Sequence, residues 1–158
     1  MAAIATTEVC DTYAAALANG DLRVLEPIFR SYGMRRTFSG PIVTLKLFED
    51  NQLVMDLLET RGEGRFFIID GGGTRRRAMV GGLLSLLAQD MGWAGIVVNG
   101  CIRDVEEING CNIGVRALAS MPVRSSKEGI GEKHVPVNIA GTLTSLSPNM
   151  SSQSESPF

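Results

Sequence analysis

The chain has 158 residues, 44% of them hydrophobic and 20% charged, with a formal net charge of −2. These proportions are typical of one soluble globular domain, the slight acidity argues against nucleic-acid or membrane-surface binding, and no apolar run approaches the ~18 residues of a membrane span. Three cysteines without paired spacing and one histidine argue against a disulfide framework and a multi-histidine metal site. The N-terminus lacks a signal-peptide pattern, so we expect a cytoplasmic protein.

The first third of the chain predicts three helical segments and a strand. A hydroxyl cap followed by acidic residues predicts a helix over Thr6–Leu17. Apolar spacing predicts a second helical piece over Leu22–Phe29, although Pro27 limits its regularity. Apolar and β-branched residues concentrate over Thr37–Phe48, which predicts a strand, and a further helix is expected to begin after Asn51.

The middle of the chain predicts a strand, a helix and a second strand. The run Arg65–Asp70 is typical of a buried strand, and it is stopped by Gly71–Gly73. An apolar helix follows over Leu83–Met91, and a second continuous apolar strand is centred on Ile96–Val98. This order predicts a βαβ unit with parallel strands and a right-handed crossover.

The last third of the chain changes in character. Further strands are predicted at Gly114–Met121 and at Val135–Ile139. Residues 145–158 read SLSPNMSSQSESPF, with many serines and little to bury. That composition predicts a disordered tail.

A candidate site lies beyond the carboxyl ends of the two parallel strands, where ligands gather in such sheets. The helix that starts near Gly81 directs free N–H groups and its positive dipole end to this region. Arg103 can grip a carboxylate, and Asp104 beside it is a hard-oxygen metal ligand. Together these residues suit a small 2-oxo acid bound with Mg²⁺, although an Arg-Asp pair such as Arg103–Asp104, taken alone, is more often a surface ion pair than a site.

Other polar features have plain structural explanations. The Gly71–Gly73 run matches no nucleotide-binding pattern, which favours a simple turn. Arg75–Arg77 is typical of a solvated face or of an interface that pairs with acidic neighbours. Cys101 has no neighbouring base that would make it a nucleophile, and His134, without a partner at ligand spacing, is interpreted as structural or exposed.

Longer segments of the chain resemble a known family. The run DGGGTRRRAMVGGLLSLLAQDMGWAGIVVNGCIRD is similar to the signature of the RraA-like family. That family joins the class II 4-hydroxy-4-methyl-2-oxoglutarate aldolases to the bacterial regulator of ribonuclease activity A. The segments TTEVCDTY, FSGPIVTLKLFEDNQLVMDLLE and SMPVRSSKEGIGEKHVPVNIAG also resemble its members, plant ones in particular.

The resemblance implies an α/β fold of the swivelling β/β/α type, assembled as a homotrimer with active sites at subunit interfaces. It places substrate-binding backbone amides on Gly81, Gly82, Leu83 and Leu84, with the βαβ unit at the site. It also makes Arg103 the substrate-binding and catalytic arginine. The implied substrate is a small 2-oxo acid.

The implied chemistry needs a divalent cation, Mg²⁺ or else Mn²⁺, for which Asp104 is the catalytic metal ligand. The cation would chelate the carboxylate and keto oxygens of the 2-oxo acid, and cleavage of the adjacent C–C bond would leave a pyruvate enolate. Water is expected to fill most other coordination positions, because only one protein carboxylate is in view.

One departure from the family pattern concerns catalysis. The aldolases resembled here carry an Asp or Glu twenty intervening residues before the arginine, and in this chain that position is Gly82. Loss of a positioned base would slow aldol cleavage about 10²–10⁴-fold. Oxaloacetate decarboxylation removes no hydroxyl proton, so we expect it to survive better than aldol cleavage unless a neighbouring subunit supplies a carboxylate.

The other departure concerns the C-terminus. Family members continue past the equivalent of residue 142 with a closing strand, where this chain has its serine-rich stretch. We therefore expect an RraA-like domain over residues 1–142, a disordered tail over residues 143–158, and a missing C-terminal strand whose absence would expose a sheet edge and weaken the trimer.

Two functions of different classes remain open. The first is a metal-dependent lyase that yields pyruvate from 4-hydroxy-4-methyl-2-oxoglutarate or oxaloacetate, which Asp104 favours. The second is a non-catalytic regulator that binds a ribonuclease of the RNase E type and inhibits RNA degradation without contacting RNA, which the absence of an acid at Gly82 favours. A third alternative is that the chain is the product of a divergent transcript and barely folds.

Overall fold

A computed structural model describes residues 5–144 of the protein. The helices are α1 (Thr6–Thr12), α2 (Ala14–Asn19), α3 (Gln52–Leu58), α4 (Gly82–Asp90) and α5 (Val105–Asn109). The strands are β1 (Arg30–Tyr32), β2 (Ile42–Lys46), β3 (Phe66–Asp70), β4 (Ala78–Val80), β5 (Gly95–Ile102), β6 (Gly114–Ser120), β7 (Glu132–Lys133), β8 (Val137–Ile139) and β9 (Thr142–Thr144).

The main sheet has a parallel centre and antiparallel edges. Its strand order is β1-β6-β5-β3-β2-β7, in which β6, β5, β3 and β2 run parallel while β1 and β7 pair antiparallel. The long strand β5 pairs with β3 along its first half and with β4 near its end. The ends of β4 and β5 are therefore neighbours, and this adjacency creates the candidate site.

Side chains on the central strands alternate between two buried faces, as expected for parallel strands covered on both sides. Phe67 and Ile69 belong to the larger apolar cluster, which includes residues of α3, α4 and α5. Phe66 and Ile68 belong to a second cluster shared with β8. The molecule thus has a helical layer, a central sheet and a small β8–β9 hairpin layer, which confirms the predicted α/β class and its β/β/α layering.

The predicted βαβ unit is confirmed. β3 begins one residue after the predicted start, α4 extends from Gly82 to Asp90, and β5 is longer than its predicted apolar centre. β3 and β5 pair in parallel with Phe66 opposite Gly95 and Asp70 opposite Asn99. The prediction missed β4, because three residues are too few for a periodic signal.

The predicted helix over Leu22–Phe29 is wrong. The segment is irregular, and Leu25 and Phe29 pack against the second apolar cluster beneath the sheet. Apolar spacing alone cannot separate a helix face from an irregular segment laid across a sheet, and Pro27 removes a backbone donor there.

Three other boundaries differ from the predictions. The N-terminal helix divides into α1 and α2 at Tyr13, whose φ of −109° and ψ of 38° leave the helical region. The strand predicted over Thr37–Phe48 contracts to β2, which follows Pro41. β9 continues through Thr144, two residues past the predicted domain boundary. The first two residues of the predicted disordered tail, 143 and 144, thus belong to a strand, while the rest of that tail, residues 145–158, and the missing closing strand lie outside the described residues.

Candidate functional site

The site is built where β4 and β5 end side by side. Ala78 lies opposite Cys101 in this parallel pair, and the Arg103 N–H donates to the carbonyl oxygen of Val80 at 2.9 Å. The residues that leave the two strands, Gly81 and Arg103, are therefore held in register by backbone hydrogen bonds. Each strand leads directly into a helix, α4 in one case and α5 in the other.

Asp104 occupies the N-cap position of α5 in an unusual conformation. Its φ of 56° and ψ of 50° lie in the left-handed region, which Asp tolerates better than most residues but at a cost of about 1–2 kcal/mol. Its side chain makes no capping bond to α5; instead Oδ2 accepts the N–H of Gly82 at 3.1 Å. The strained backbone thus turns this carboxylate toward the start of the neighbouring helix α4.

Arg103 and Asp104 form an ion pair in front of Gly81. Arg103 Nε lies 3.5 Å from Asp104 Oδ2, and the two side chains are 37% and 36% exposed. A Cβ atom on Gly81 would lie 2.7 Å from Asp104 Oδ2 and 3.3 Å from Arg103 Nε. The surface ion pair considered above is therefore present, but it is also partly open to solvent and depends on a glycine for space.

The first turn of α4 completes the group of predicted residues. Gly81 is the N-cap and has no side chain with which to cap the helix, and its carbonyl oxygen accepts the N–H of Ser85 at 3.1 Å. The N–H groups of Leu83 and Leu84 precede the first intrahelical bond, so they are available to an anion. Leu83 is 82% exposed and Leu84 is buried. The structure brings all six predicted site residues together.

Glu107 is a neighbour of this site that sequence reasoning missed. A Cβ atom on Gly82 would lie only 2.0 Å from Glu107 Oε2, so this carboxylate lies over the start of α4. Glu107 comes three positions after Asp104, which is the spacing of one helix face. That spacing is the signal that could have indicated Glu107, had α5 been predicted as a helix.

The Gly71–Gly73 run is a structural turn, as its sequence favoured. Gly72 and Gly73 have φ values of +67° and +72°, which glycine adopts at no steric cost. The Asp70 carboxylate accepts the N–H of Gly72 at 2.9 Å and a side-chain N–H of Asn99 at 3.1 Å. The polar groups around this turn therefore hydrogen-bond to one another.

The other polar residues considered from the sequence are not part of the candidate site. Cys101 is 1% exposed, and burial raises the pKa of its thiol, so it stays protonated and unreactive. His134 is exposed. Arg76 pairs with Glu49 at 2.8 Å, and this hydrogen bond lowers the pKa of the Glu49 carboxyl. The arginine run is thus an exposed face that pairs with an acidic neighbour.

The donor set fits a weakly held divalent cation. Among the described residues, no three His, Cys, Asp or Glu side chains are grouped as a metal cage. Asp104 nevertheless offers a partly exposed carboxylate, bound by one N–H and a long contact from Arg103. Mg²⁺ is commonly held by one or two carboxylates together with water and substrate oxygens, and Asp104 suits that arrangement.

Comparisons with known proteins agree on one family. The profile of the RraA-like family, described as Aldolase/RraA, matches residues 6–148. An Arabidopsis thaliana protein named "Putative 4-hydroxy-4-methyl-2-oxoglutarate aldolase 3" is 65% identical over 90% of this chain and 86% of its own length. A Cupriavidus taiwanensis protein of the same name, without the number, is 53% identical over 87% of this chain and 84% of its own length.

A solved structure whose name gives a different role has a similar fold. The RNA-processing inhibitor RraA from Thermus thermophilis has a TM-score of 0.84 and 42% identity, covering 90% of this chain and 83% of that one. Within residues 5–144, none of the helices has the length and apolar character needed to cross a membrane.

Proposed function

The chain belongs to the RraA-like family, and from that premise we propose that it is a divalent-metal-dependent lyase acting on small 2-oxo acids. The reactions proposed are aldol cleavage of 4-hydroxy-4-methyl-2-oxoglutarate and decarboxylation of oxaloacetate, both of which give pyruvate. The observation that carries the proposal is the meeting of Arg103 and Asp104 with the open N-terminus of α4. The aldolase names of the plant and bacterial relatives support it.

Two features of the site would bind the substrate carboxylate. The free N–H groups in the first turn of α4, including those of Leu83 and Leu84, attract an anion together with the helix dipole. Arg103 can donate two parallel hydrogen bonds to the same carboxylate from the neighbouring strand end. The absence of a side chain on Gly81 lets the substrate approach the backbone closely.

Asp104 would hold Mg²⁺ or Mn²⁺, together with water and the substrate's own oxygens. The bound cation would supply Lewis-acid stabilisation of the negative charge that develops on the keto oxygen. Arg103 keeps the substrate oriented during that step. Its ion pair with Asp104 also fixes the carboxylate before the substrate arrives.

The two proposed reactions make different demands on the protein. Decarboxylation of oxaloacetate loses CO₂ and removes no hydroxyl proton, so orientation and charge stabilisation suffice. Aldol cleavage must also remove a proton from the C4 hydroxyl, which requires a positioned acceptor. Gly82 provides none, so the residues predicted from the sequence support decarboxylation more fully than aldol cleavage.

The test is a coupled pyruvate-release assay on both substrates, with and without Mg²⁺, on the wild type and on Asp104→Asn. We expect metal-dependent release by the wild type and a loss of at least about 10²-fold in the variant, because a Lewis acid contributes several kcal/mol. Asp90→Asn, at the exposed opposite end of α4, is the matched control and should retain activity. Equal rates in Asp104→Asn and wild type on both substrates would show that the site is wrong.

A regulator that binds a ribonuclease is the second candidate. It is favoured by the match at 42% identity to the RNA-processing inhibitor from Thermus thermophilis. A titration calorimetry experiment with the purified ribonuclease domain tests it. If the folded protein binds the ribonuclease but turns over neither substrate, the regulator would replace the lyase as the proposed function.

We also propose a homotrimer, with the site near a subunit boundary. Leu83 at the mouth of the site is 82% exposed, and Tyr13 and Leu17 on the N-terminal helices are also exposed. Neither α1 nor α2 has a buried residue within the subunit, so these surfaces are available to another copy. Light scattering on the purified protein should give a mass about three times 16.9 kDa; a monomer would contradict the assembly.

A further inference from the structure

Gly82 and Glu107 share one small volume at the mouth of the site. A Cβ atom on Gly82 would lie 2.0 Å from Glu107 Oε2, 2.8 Å from Glu107 Cβ and 2.9 Å from Glu107 Cδ. No side chain larger than hydrogen fits at position 82 while Glu107 keeps this conformation. The glycine therefore makes room for a carboxylate that comes from another helix.

The carboxylate of Glu107 lies close to the groups proposed to bind substrate. Consecutive Cα atoms are about 3.8 Å apart, and the space next to Gly81 is filled by Arg103 and Asp104 while the space next to Gly82 is filled by Glu107. A 2-oxo acid bound at the start of α4 would therefore have three charged side chains within reach.

The positive dipole end of α4 attracts the Glu107 carboxylate to this position, and this attraction leaves its oxygens free to act. Glu107 is exposed, and in the described part of the chain its carboxylate takes part in no hydrogen bond or ion pair. Asp104, in contrast, is engaged by the Gly82 N–H and by Arg103. Glu107 is thus a carboxylate with free acceptor oxygens beside the proposed substrate site.

We infer that Glu107 is the proton acceptor for aldol cleavage and takes the place of the acid that the family resemblance leads one to expect at residue 82. The inference rests on the proposed lyase function. The carboxylate is supplied from α5 instead of from the first turn of α4, and it reaches the same space because residue 82 is glycine.

Aldol cleavage begins when a Glu107 oxygen takes the proton of the C4 hydroxyl. The electron pair of the broken O–H bond forms the carbonyl double bond of one pyruvate as the C3–C4 bond breaks. The electron pair of that bond passes to C3 and the keto group, which gives the enolate of a second pyruvate. Protonation of that enolate at C3 completes the reaction, and Glu107 can return the proton it accepted.

Removing the Glu107 carboxylate should slow aldol cleavage but not oxaloacetate decarboxylation. In Glu107→Gln, which keeps the shape of the side chain, aldol cleavage should fall about 10²–10⁴-fold because the base is lost. Oxaloacetate decarboxylation, which needs no such base, should stay within about threefold of wild type, as should the Kd of oxalate measured by calorimetry with Mg²⁺. The matched control is Glu106→Gln, an adjacent exposed residue in the same first turn, which should change neither reaction.

An exchange of positions tests the shared volume directly. Gly82→Asp alone should lower Tm, because the new Cβ collides with Glu107. Adding Gly82→Asp to Glu107→Gly, which also removes the Glu107 Cβ that would lie 2.8 Å away, should cause no further loss of Tm than Glu107→Gly alone. It should also raise aldol cleavage at least about tenfold over Glu107→Gly, since a carboxylate again occupies the space. Failure of the pair to recover either property would argue that Glu107 does not stand in for an acid at residue 82.

The outcomes separate this inference from the lyase proposal. A wild type that releases pyruvate from neither substrate would end the lyase proposal and this inference with it. A wild type that decarboxylates oxaloacetate but does not cleave the aldol substrate would overturn the inference alone. The same holds if Glu107→Gln cleaves the aldol substrate at the wild-type rate, or if it loses both reactions equally.

Discussion

Two glycine-containing turns follow β3 and β4, the strands that pair with successive parts of β5, and they use glycine for opposite reasons. In the turn after β3, Gly72 and Gly73 adopt positive φ values, so the backbone itself requires glycine. In the turn after β4, Gly81 has a φ of −127° and a ψ of −169°, which any residue can adopt. There the reason is space, because charged side chains fill the positions that a Cβ would take.

The difference also separates the carboxylates that serve the two turns. Asp70 is used by the first turn, where it accepts bonds from Gly72 and Asn99. Asp104 and Glu107 lie against glycines of the second turn, and both keep oxygen lone pairs open to a ligand. A glycine run therefore indicates a functional site only where charged side chains of other segments occupy the space that a Cβ atom would take.

The largest expected effect comes from filling the space beside Gly81. In Gly81→Ala the new Cβ would lie 2.7 Å from Asp104 Oδ2, which forces this carboxylate and Arg103 to shift. Since a displacement approaching 1 Å can cost about 10²-fold, we expect both pyruvate-releasing reactions to fall by that amount. The free energy of unfolding should change by less than about 1 kcal/mol, because the backbone conformation suits alanine. A fully active Gly81→Ala variant would show that the space beside Asp104 and Arg103 is not needed for activity.

Replacing Asp50, a buried carboxylate away from the site, should lower the stability of the protein, whereas Gly81→Ala should lower its activity. Asp50 is 3% exposed and accepts the N–H groups of Gln52, Glu128 and Gly129. Burial by itself raises its pKa, but the combined backbone hydrogen bonds outweigh burial, so the pKa of Asp50 lies below its usual value. Asp50→Ala should lower the free energy of unfolding at pH 7 by about 2 kcal/mol.

The pH dependence of that contribution has a definite sign. Because the folded-state pKa of Asp50 is lowered, its stabilisation is fully present above the unfolded pKa and is lost as the pH falls through the folded pKa. Urea unfolding at pH 7 and at successively lower pH checks this. Wild type and Asp50→Ala should converge in stability as the solution becomes acidic; a constant difference between them would contradict the assignment.

The smallest expected effect lies in the turn after β3. In Gly72→Ala the residue must keep a φ of +67°, which costs alanine about 1 kcal/mol, and its Cβ would approach Phe48 at 3.1 Å. Unfolding monitored by circular dichroism should show this loss, while both pyruvate-releasing reactions stay within about twofold. A strong loss of catalysis in a folded Gly72→Ala protein would give this turn a role in the site.

The site could be predicted from the sequence to the extent that it depends on strand ends. Apolar runs predicted β5 and the helix that follows Gly81, and ligand sites lie at the carboxyl ends of parallel strands and at helix N-termini. Gly81, Arg103 and Asp104 could therefore be grouped from the sequence, although the strand that ends beside β5 at the site is the unpredicted β4 and not β3. The family resemblance then added roles that the spacing of residues could not supply.

What the sequence could not reveal depends on contacts between distant segments. The irregular segment containing Leu25 and Phe29 has helical spacing, and only the sheet face against which it packs decides otherwise. Glu107 could not be placed because its position follows from the left-handed turn at Asp104, which begins α5, and from the missing Cβ of Gly82. Neither feature leaves a periodic pattern in the chain.

The metal-ligand role proposed for Asp104 is tested most directly by measuring Mg²⁺-dependent pyruvate release from oxaloacetate by wild type, Asp104→Asn and Gly72→Ala in parallel. That role predicts metal-dependent release by wild type and by Gly72→Ala, and a loss of at least about 10²-fold in Asp104→Asn. Equal release by all three proteins, or release that does not depend on Mg²⁺, would contradict it.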